Sequence, residues 1–192
     1  QSYAVRCSAC QPGEFIESAC SATSDAVCKQ CGPGEYTSTS GLDVCEPCTE
    51  GDTYQPLEGQ SYAILCTPSQ PGKFIESACT ATTDATYKGC VAGHACSDGI
   101  KTKCVAVGKY APRDATECST VSAGHQVVVG NGGLRKGQEP CEQGTFSESA
   151  GQDECTPCLE GEEYQPAEGQ SYAVRCSACQ PGEFIESACN AT

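Results

Sequence analysis

The chain has 192 residues, a net charge of −14 and 19 cysteines, with neither Trp nor Met. Leu, Ile, Val and Phe together number 25, too few to bury the apolar surface that offsets the entropy of ordering a chain. Such a composition reads as disorder unless covalent cross-links replace the core.

Cysteine at this density marks a disulfide scaffold and an oxidising, extracellular or cell-surface location. A bridge closing a loop of about 15 residues contributes roughly 3 kcal/mol by restricting the unfolded chain. Eleven Lys and Arg against 25 Asp and Glu exclude a nucleic-acid footprint. No apolar run reaches the about 18 residues of a membrane span, and no signal peptide is visible at Gln1.

Taken in chain order, residues 1–30 are the end of a cysteine-rich unit. Its Cys7-x2-Cys10-x17-Cys28-x2-Cys31 has the spacing of a four-cysteine zinc ribbon. A second copy at 60–90 argues against metal, because Ser69 stands for Cys10 and Tyr87 for Cys28 while Cys66, Cys79 and Cys90 remain. Losing two ligands destroys a zinc site, whereas a disulfide loses both partners together. The paired loss therefore predicts a Cys10–Cys28 bridge and no metal.

Repeat unit 1 spans 31–89 and opens with CGPGEYTSTSGLDVCEPC, in which spacing predicts Cys31–Cys45. The degenerate repeat unit 2 spans 90–140; its Val127-Val128-Val129 run and NGGLRKG segment lack cysteine. Cys90–Cys104 and Cys104–Cys118 close loops of equal length, so either is a candidate copy of Cys31–Cys45. Repeat unit 3, truncated, spans 141–192 and predicts Cys141–Cys155. Residues 170–189 repeat residues 1–20 letter for letter, so the whole pattern recurs every 169 residues. Two schemes compete for the rest: Cys7–Cys20 with Cys66–Cys79, or Cys48–Cys66 with Cys158–Cys176.

Gly and Pro recur along the chain at PGEF, PGEY, PGKF and AGHQ, leaving no helical period. The expected fold is small and disulfide-rich: an elongated tandem array of short β-hairpin and loop modules with little regular secondary structure. Phe15, Tyr36, Phe74, Tyr110, Phe146 and Phe184 are expected to form each module's miniature core, stacked on disulfides.

C-x2-C-QPGEFIESA-C-SATSDAV-C-x2-C, from Cys7, resembles the tumour-necrosis-factor-receptor cysteine-rich module. That family pairs first with third and second with fourth cysteine, which implies Cys7–Cys20 and Cys10–Cys28. CGPGEYTSTSGLDVCEPC and CEQGTFSESAGQDECTPC resemble the ephrin-receptor-like repeat. Near-identical tandem arrays of this kind are similar to algal and protist surface fibres, mastigoneme proteins among them.

That last resemblance, with repeat identity, predicts a structural subunit of an extracellular filament. Its partners would be copies of itself, with glycans or a second filament component. Contacts would recur at Gln1, Ser2, Glu14 and Glu17 and their equivalents Gln170, Ser171, Glu183 and Glu186. The alternative is a receptor-like ectodomain binding a protein ligand. No catalytic constellation or cofactor motif occurs. His94 and His125 read as solvated turn residues, Glu162-Glu163 as solvated charges, and Asp25 and Asp84 as turn caps. Asn190-Ala191-Thr192 is an N-glycosylation sequon, and the loops around Thr23, Ser24, Thr80, Thr82 and Thr83 are candidate O-glycan sites.

Overall fold

A computed structural model of the chain describes residues 6–180 and 188–191. Among the described residues there is no helix, and eighteen short strands pair into nine two-stranded sheets. In chain order these are β1 (Glu14–Ser18) with β2 (Val27–Gln30), β3 (Glu35–Tyr36) with β4 (Glu46–Pro47), and β5 (Thr53–Tyr54) with β6 (Ile64–Leu65). Next come β7 (Lys73–Ser77) with β8 (Thr86–Gly89), β9 (His94–Ser97) with β10 (Ile100–Lys103), and β11 (Lys109–Tyr110) with β12 (Ser119–Thr120). Last are β13 (His125–Gly130) with β14 (Leu134–Pro140), β15 (Thr145–Phe146) with β16 (Thr156–Pro157), and β17 (Glu163–Tyr164) with β18 (Val174–Arg175). The expected array of disulfide-rich hairpins is therefore the fold. Two compact units divide the chain: Gln1–Pro68 with Ile75–Tyr87, and Ser69–Phe74 with Lys88–Thr192.

One hydrogen bond recurs in all nine hairpins. The residue after the second strand donates its N–H to the carbonyl just before the first strand. The donors are Cys31, Cys48, Cys66, Cys90, Cys104, Val121, Cys141, Cys158 and Cys176, at 2.7–3.0 Å. In most hairpins the accepting residue is a Gly at positive φ. Gly13, at φ 90°, shows why: a Cβ there would lie 2.2 Å from the Gly59 carbonyl oxygen.

In four of the nine hairpins a disulfide staple sits about three residues before this closing bond on both strands. Cys10–Cys28, Cys31–Cys45 and Cys141–Cys155 occupy that place, and Cys104–Cys118 occupies it with one extra residue on the first strand. The seventh hairpin has none. Val121, fully buried, stands in the first staple position, and Gln138 in the second accepts from the Ser122 N–H at 2.8 Å. That hairpin is also the longest, which compensates for the missing bridge; its ladder slips by a bulge between Val128 and Val129.

The miniature core differs from expectation. Phe15, Tyr36, Phe74, Tyr110 and Phe146 are only half-buried, and Phe184 lies outside the described residues. What is buried instead is the residue just after an aromatic: Thr37, Gln55, Ala111, Ser147 and Gln165. Each of these carbonyls accepts a backbone N–H from the hairpin before it, the donors being Gly13, Gly34, Gly93, Gly124 and Gly144 respectively. Hairpins with almost no apolar area are joined by main-chain hydrogen bonds, so the contact point must be small or polar, and the aromatic ring is displaced outward. Fully buried half-cystines complete the core.

Candidate functional site

The loop of the third hairpin, between β5 and β6, is one of the places where large apolar side chains are exposed. Leu57, Tyr62 and Leu65 are 62%, 57% and 78% exposed, an apolar group on a strongly acidic chain. Exposed Glu50, Asp52 and Glu58 lie along the same hairpin.

This hairpin carries no disulfide of its own, and the buried Gln55 side chain braces it. Its Nε2 donates to the Tyr62 carbonyl at 2.8 Å, and its Oε1 accepts from the Leu57 N–H at 3.2 Å. One buried amide thus fixes the main chain at both exposed side chains, so they are presented on a rigid loop. In the ninth hairpin Gln165 does the same, reaching the Tyr172 carbonyl at 2.6 Å and the Ala167 N–H at 3.1 Å. The brace is identical but the cargo differs: Ala167 replaces Leu57 and Arg175 replaces Leu65. Beside the third hairpin, Phe15, Lys29, Gln30, Glu35 and Glu58 line an open groove of 620 Å³.

The cysteines fall as follows. Cys7–Cys20, Cys66–Cys79 and Cys176–Cys189 each bridge a separation of 13 residues, and Cys90 pairs with Cys96. Cys48–Cys66 and Cys158–Cys176 are not formed, because Cys66 and Cys176 are already taken. Cys48 and Cys158 are buried thiols, and Cys179 is an exposed one. Cys90–Cys104 does not form, Cys104 being joined to Cys118, and Cys10 is joined to Cys28. Sequence reasoning missed Cys90–Cys96; its signal is Lys101, which stands where the second staple cysteine of that hairpin would be.

Asp25 lies beside the Cys7–Cys20 sulfurs and Asp84 beside the Cys66–Cys79 sulfurs, but sulfur joined in a disulfide is no thiolate ligand. Both carboxylates cap turns. Asp25 accepts the Ser8 N–H at 2.7 Å, and Asp84 accepts the Thr67 N–H at 2.7 Å and the Thr67 hydroxyl at 2.5 Å. Hydrogen bonds from Ser8 hold the Asp25 carboxyl below its ordinary value, and those from Thr67 do so for Asp84. His94 and His125 lie in strands β9 and β13 rather than in turns. Asn190 is exposed, and Thr192 of its sequon lies outside the described residues.

Two residues assigned to recurring contacts between chains are engaged within their own module. Glu14 accepts the Gln11 N–H at 3.2 Å, and Glu17 pairs with Lys29 at 3.2 Å. Folding of one module therefore accounts for these charges without a fibre contact. Gln1, Ser2, Glu183 and Glu186 lie outside the described residues.

Stapled hairpins presenting individually varied loops define a modular disulfide-rich scaffold. A family model of the TNFR/NGFR cysteine-rich region matches residues 1–28. Tumor necrosis factor receptor superfamily member 14 of Homo sapiens is 30% identical over 154 residues, covering 78% of this chain and 44% of that protein. Superfamily member 11A of Mus musculus is 54% identical over 33 residues, 17% of this chain and 5% of that protein. The chain thus spans less than half the length of the curated relatives it matches.

Among solved structures, a mouse RANKL–OPG complex is similar at a TM-score of 0.24 and 16% identity, covering 78% of this chain and 90% of that one. A human RANKL/OPG complex is similar at 0.23 and 15%, covering 89% and 91%. The tandem cysteine-rich repeats resemble modules of the tumour-necrosis-factor-receptor type. The filament-subunit expectation is overturned by these matches, since the similar proteins are receptors; the mastigoneme setting finds no support among them.

Proposed function

We propose that this chain is part of a receptor-like ectodomain, outside the cell or at its surface, that binds a protein ligand and performs no catalysis. The observation that carries the reading is the Gln55-braced loop, with Leu57 and Tyr62 held outward beside Leu65. An apolar centre with a charged rim is the anatomy of a specific protein interface. A rigid loop loses little entropy on docking, so its few exposed side chains carry a large share of the affinity. The different side chains on the Gln165-braced loop fit a receptor, in which each module offers its own surface. Asn190 is a candidate glycan site on the same scaffold.

The test is surface plasmon resonance with the oxidised chain immobilised and a panel of tumour-necrosis-factor-type ligands, RANKL included, passed over it. Saturable binding to one of them is expected, weakened about tenfold or more by Leu57→Ala with Tyr62→Ala, as loss of hot-spot contacts would do. No binding across the panel, or a variant that binds like the parent, would sink the reading.

A further inference from the structure

Buried thiols in an oxidised scaffold are unusual, and this chain places two of them alike. Cys48 begins the turn that leads into β5. That turn holds the main chain of both members of the nearest bridge: Gly51 donates its N–H to the Cys79 carbonyl at 3.2 Å, and Cys66 donates its N–H to the Asp52 carbonyl at 2.9 Å. The same arrangement recurs after Cys158. Gly161 donates to the Cys189 carbonyl at 3.3 Å, and Cys176 donates to the Glu162 carbonyl at 2.8 Å. Each thiol is thus tied through one short turn to a complete disulfide, Cys66–Cys79 or Cys176–Cys189.

We propose that each set of three cysteines is a disulfide-exchange switch, in which Cys66 passes between Cys79 and Cys48, and Cys176 between Cys189 and Cys158. The Cys48 thiolate attacks Sγ of Cys66, a Cys48–Cys66 bond forms, the Cys66–Cys79 bond breaks, and Cys79 leaves as a thiolate. The proton given up by Cys48 ends on Cys79. One disulfide and one thiol stand on each side, so no oxidant or reductant is consumed.

Chain entropy barely separates the two states. The Cys66–Cys79 pair closes a separation of 13 residues, and Cys48–Cys66 would close 18, the separation that Cys10–Cys28 already bridges. Exchange moves the staple from the fourth hairpin's loop to the third hairpin, which lacks one and carries Leu57 and Tyr62. Burial pushes the Cys48 and Cys158 thiols up, so the switch is slow near neutrality and accelerates with pH as the thiolate fraction grows, about tenfold per pH unit.

The oxidised chain is held at about pH 8.5 for hours without reductant, acid-quenched, unfolded, alkylated with N-ethylmaleimide and peptide-mapped. Label is expected on Cys79 and Cys189 as well as on the free thiols Cys48, Cys158 and Cys179, its redistribution being faster at higher pH. In Cys79→Ser folded with oxidised glutathione as the oxidant, Cys48 and Cys66 should be recovered joined. Label confined to the three free thiols, Cys48, Cys158 and Cys179, in the parent chain at every pH would overturn the proposal. So would a Cys79→Ser chain with Cys48 and Cys66 both alkylated. The parent-chain label pattern decides the question even if the variant fails to fold.

Discussion

Asp25 and Asp84 each tie a cysteine-bearing segment to a turn 17 residues away with a single carboxylate. Hydrogen bonds that favour the charged form depress both folded-state values. A depressed carboxylate stabilises the fold above its unfolded value of about 3.9, and that stabilisation is lost as pH falls through the lower folded value. The melting temperature should therefore hold above about pH 4 and fall below it. The fall should be shallower in Asp25→Asn with Asp84→Asn, since an amide does not titrate. Thermal melts across acid pH check this, and equal slopes in parent and variant would contradict it. The Asp was recognisable in SATSDAV and TATTDAT as a turn cap because short polar side chains bond nearby main chain. Its partner, 17 residues back, was not, because sequence spacing carries no information on contacts made through a folded loop.

Among elements, the hairpin is the repeating device, and the place three residues before its closing bond is where it is stapled. The seventh hairpin offers a test, since Val121 and Gln138 stand in that place and its closing bond, Cys141 to Gly124 at 2.9 Å, matches the others. Val121→Cys with Gln138→Cys should form a new bridge, recovered in a peptide map, and raise stability by about 3 kcal/mol, as a loop of this size predicts. The gain would be smaller if the loss of buried Val121 offsets part of it. Two unbridged thiols in the folded variant would show that the place is not equivalent. A node in this region also depends on charge: Asp153 accepts from Arg135, and from the Gly108 N–H at 2.6 Å, while Arg135 Nε donates to the Lys109 carbonyl at 2.8 Å. No sequence pattern marked this node, because its members come from three hairpins.

At the scale of the molecule, a charge of −14 and 25 large aliphatic or Phe residues leave the disulfides to do what a core does elsewhere. Full reduction should abolish the cooperative thermal transition and collapse amide shift dispersion. Only unbranched loss of a few degrees, with dispersion retained, would mean that hydrogen bonds between hairpins suffice. The filament expectation failed at this scale for a physical reason. Identity between repeats constrains whatever a module needs in order to fold, and Glu14 and Glu17 are bonded inside theirs. Repetition therefore carried no information about contact between chains.

By itself the sequence determined the class of the fold. Cysteine density, the scarcity of apolar residues and the Gly-Pro punctuation leave tandem disulfide-stapled hairpins as the stable solution, and the Cys7–Cys31 pattern carries the receptor-module signature. These are properties of composition and local spacing, which act over a few residues. Tertiary structure alone decided that Thr37, Gln55, Ala111, Ser147 and Gln165 are buried rather than the aromatic rings before them, that Gln55 and Gln165 brace the loops lacking a staple, and which neighbour takes Cys66. Each of those outcomes depends on where one hairpin meets the next. Cys48 and Cys79 are both within loop-closure reach of Cys66 along the chain, and chain entropy separates them too weakly to choose. The choice falls to the packing around each sulfur.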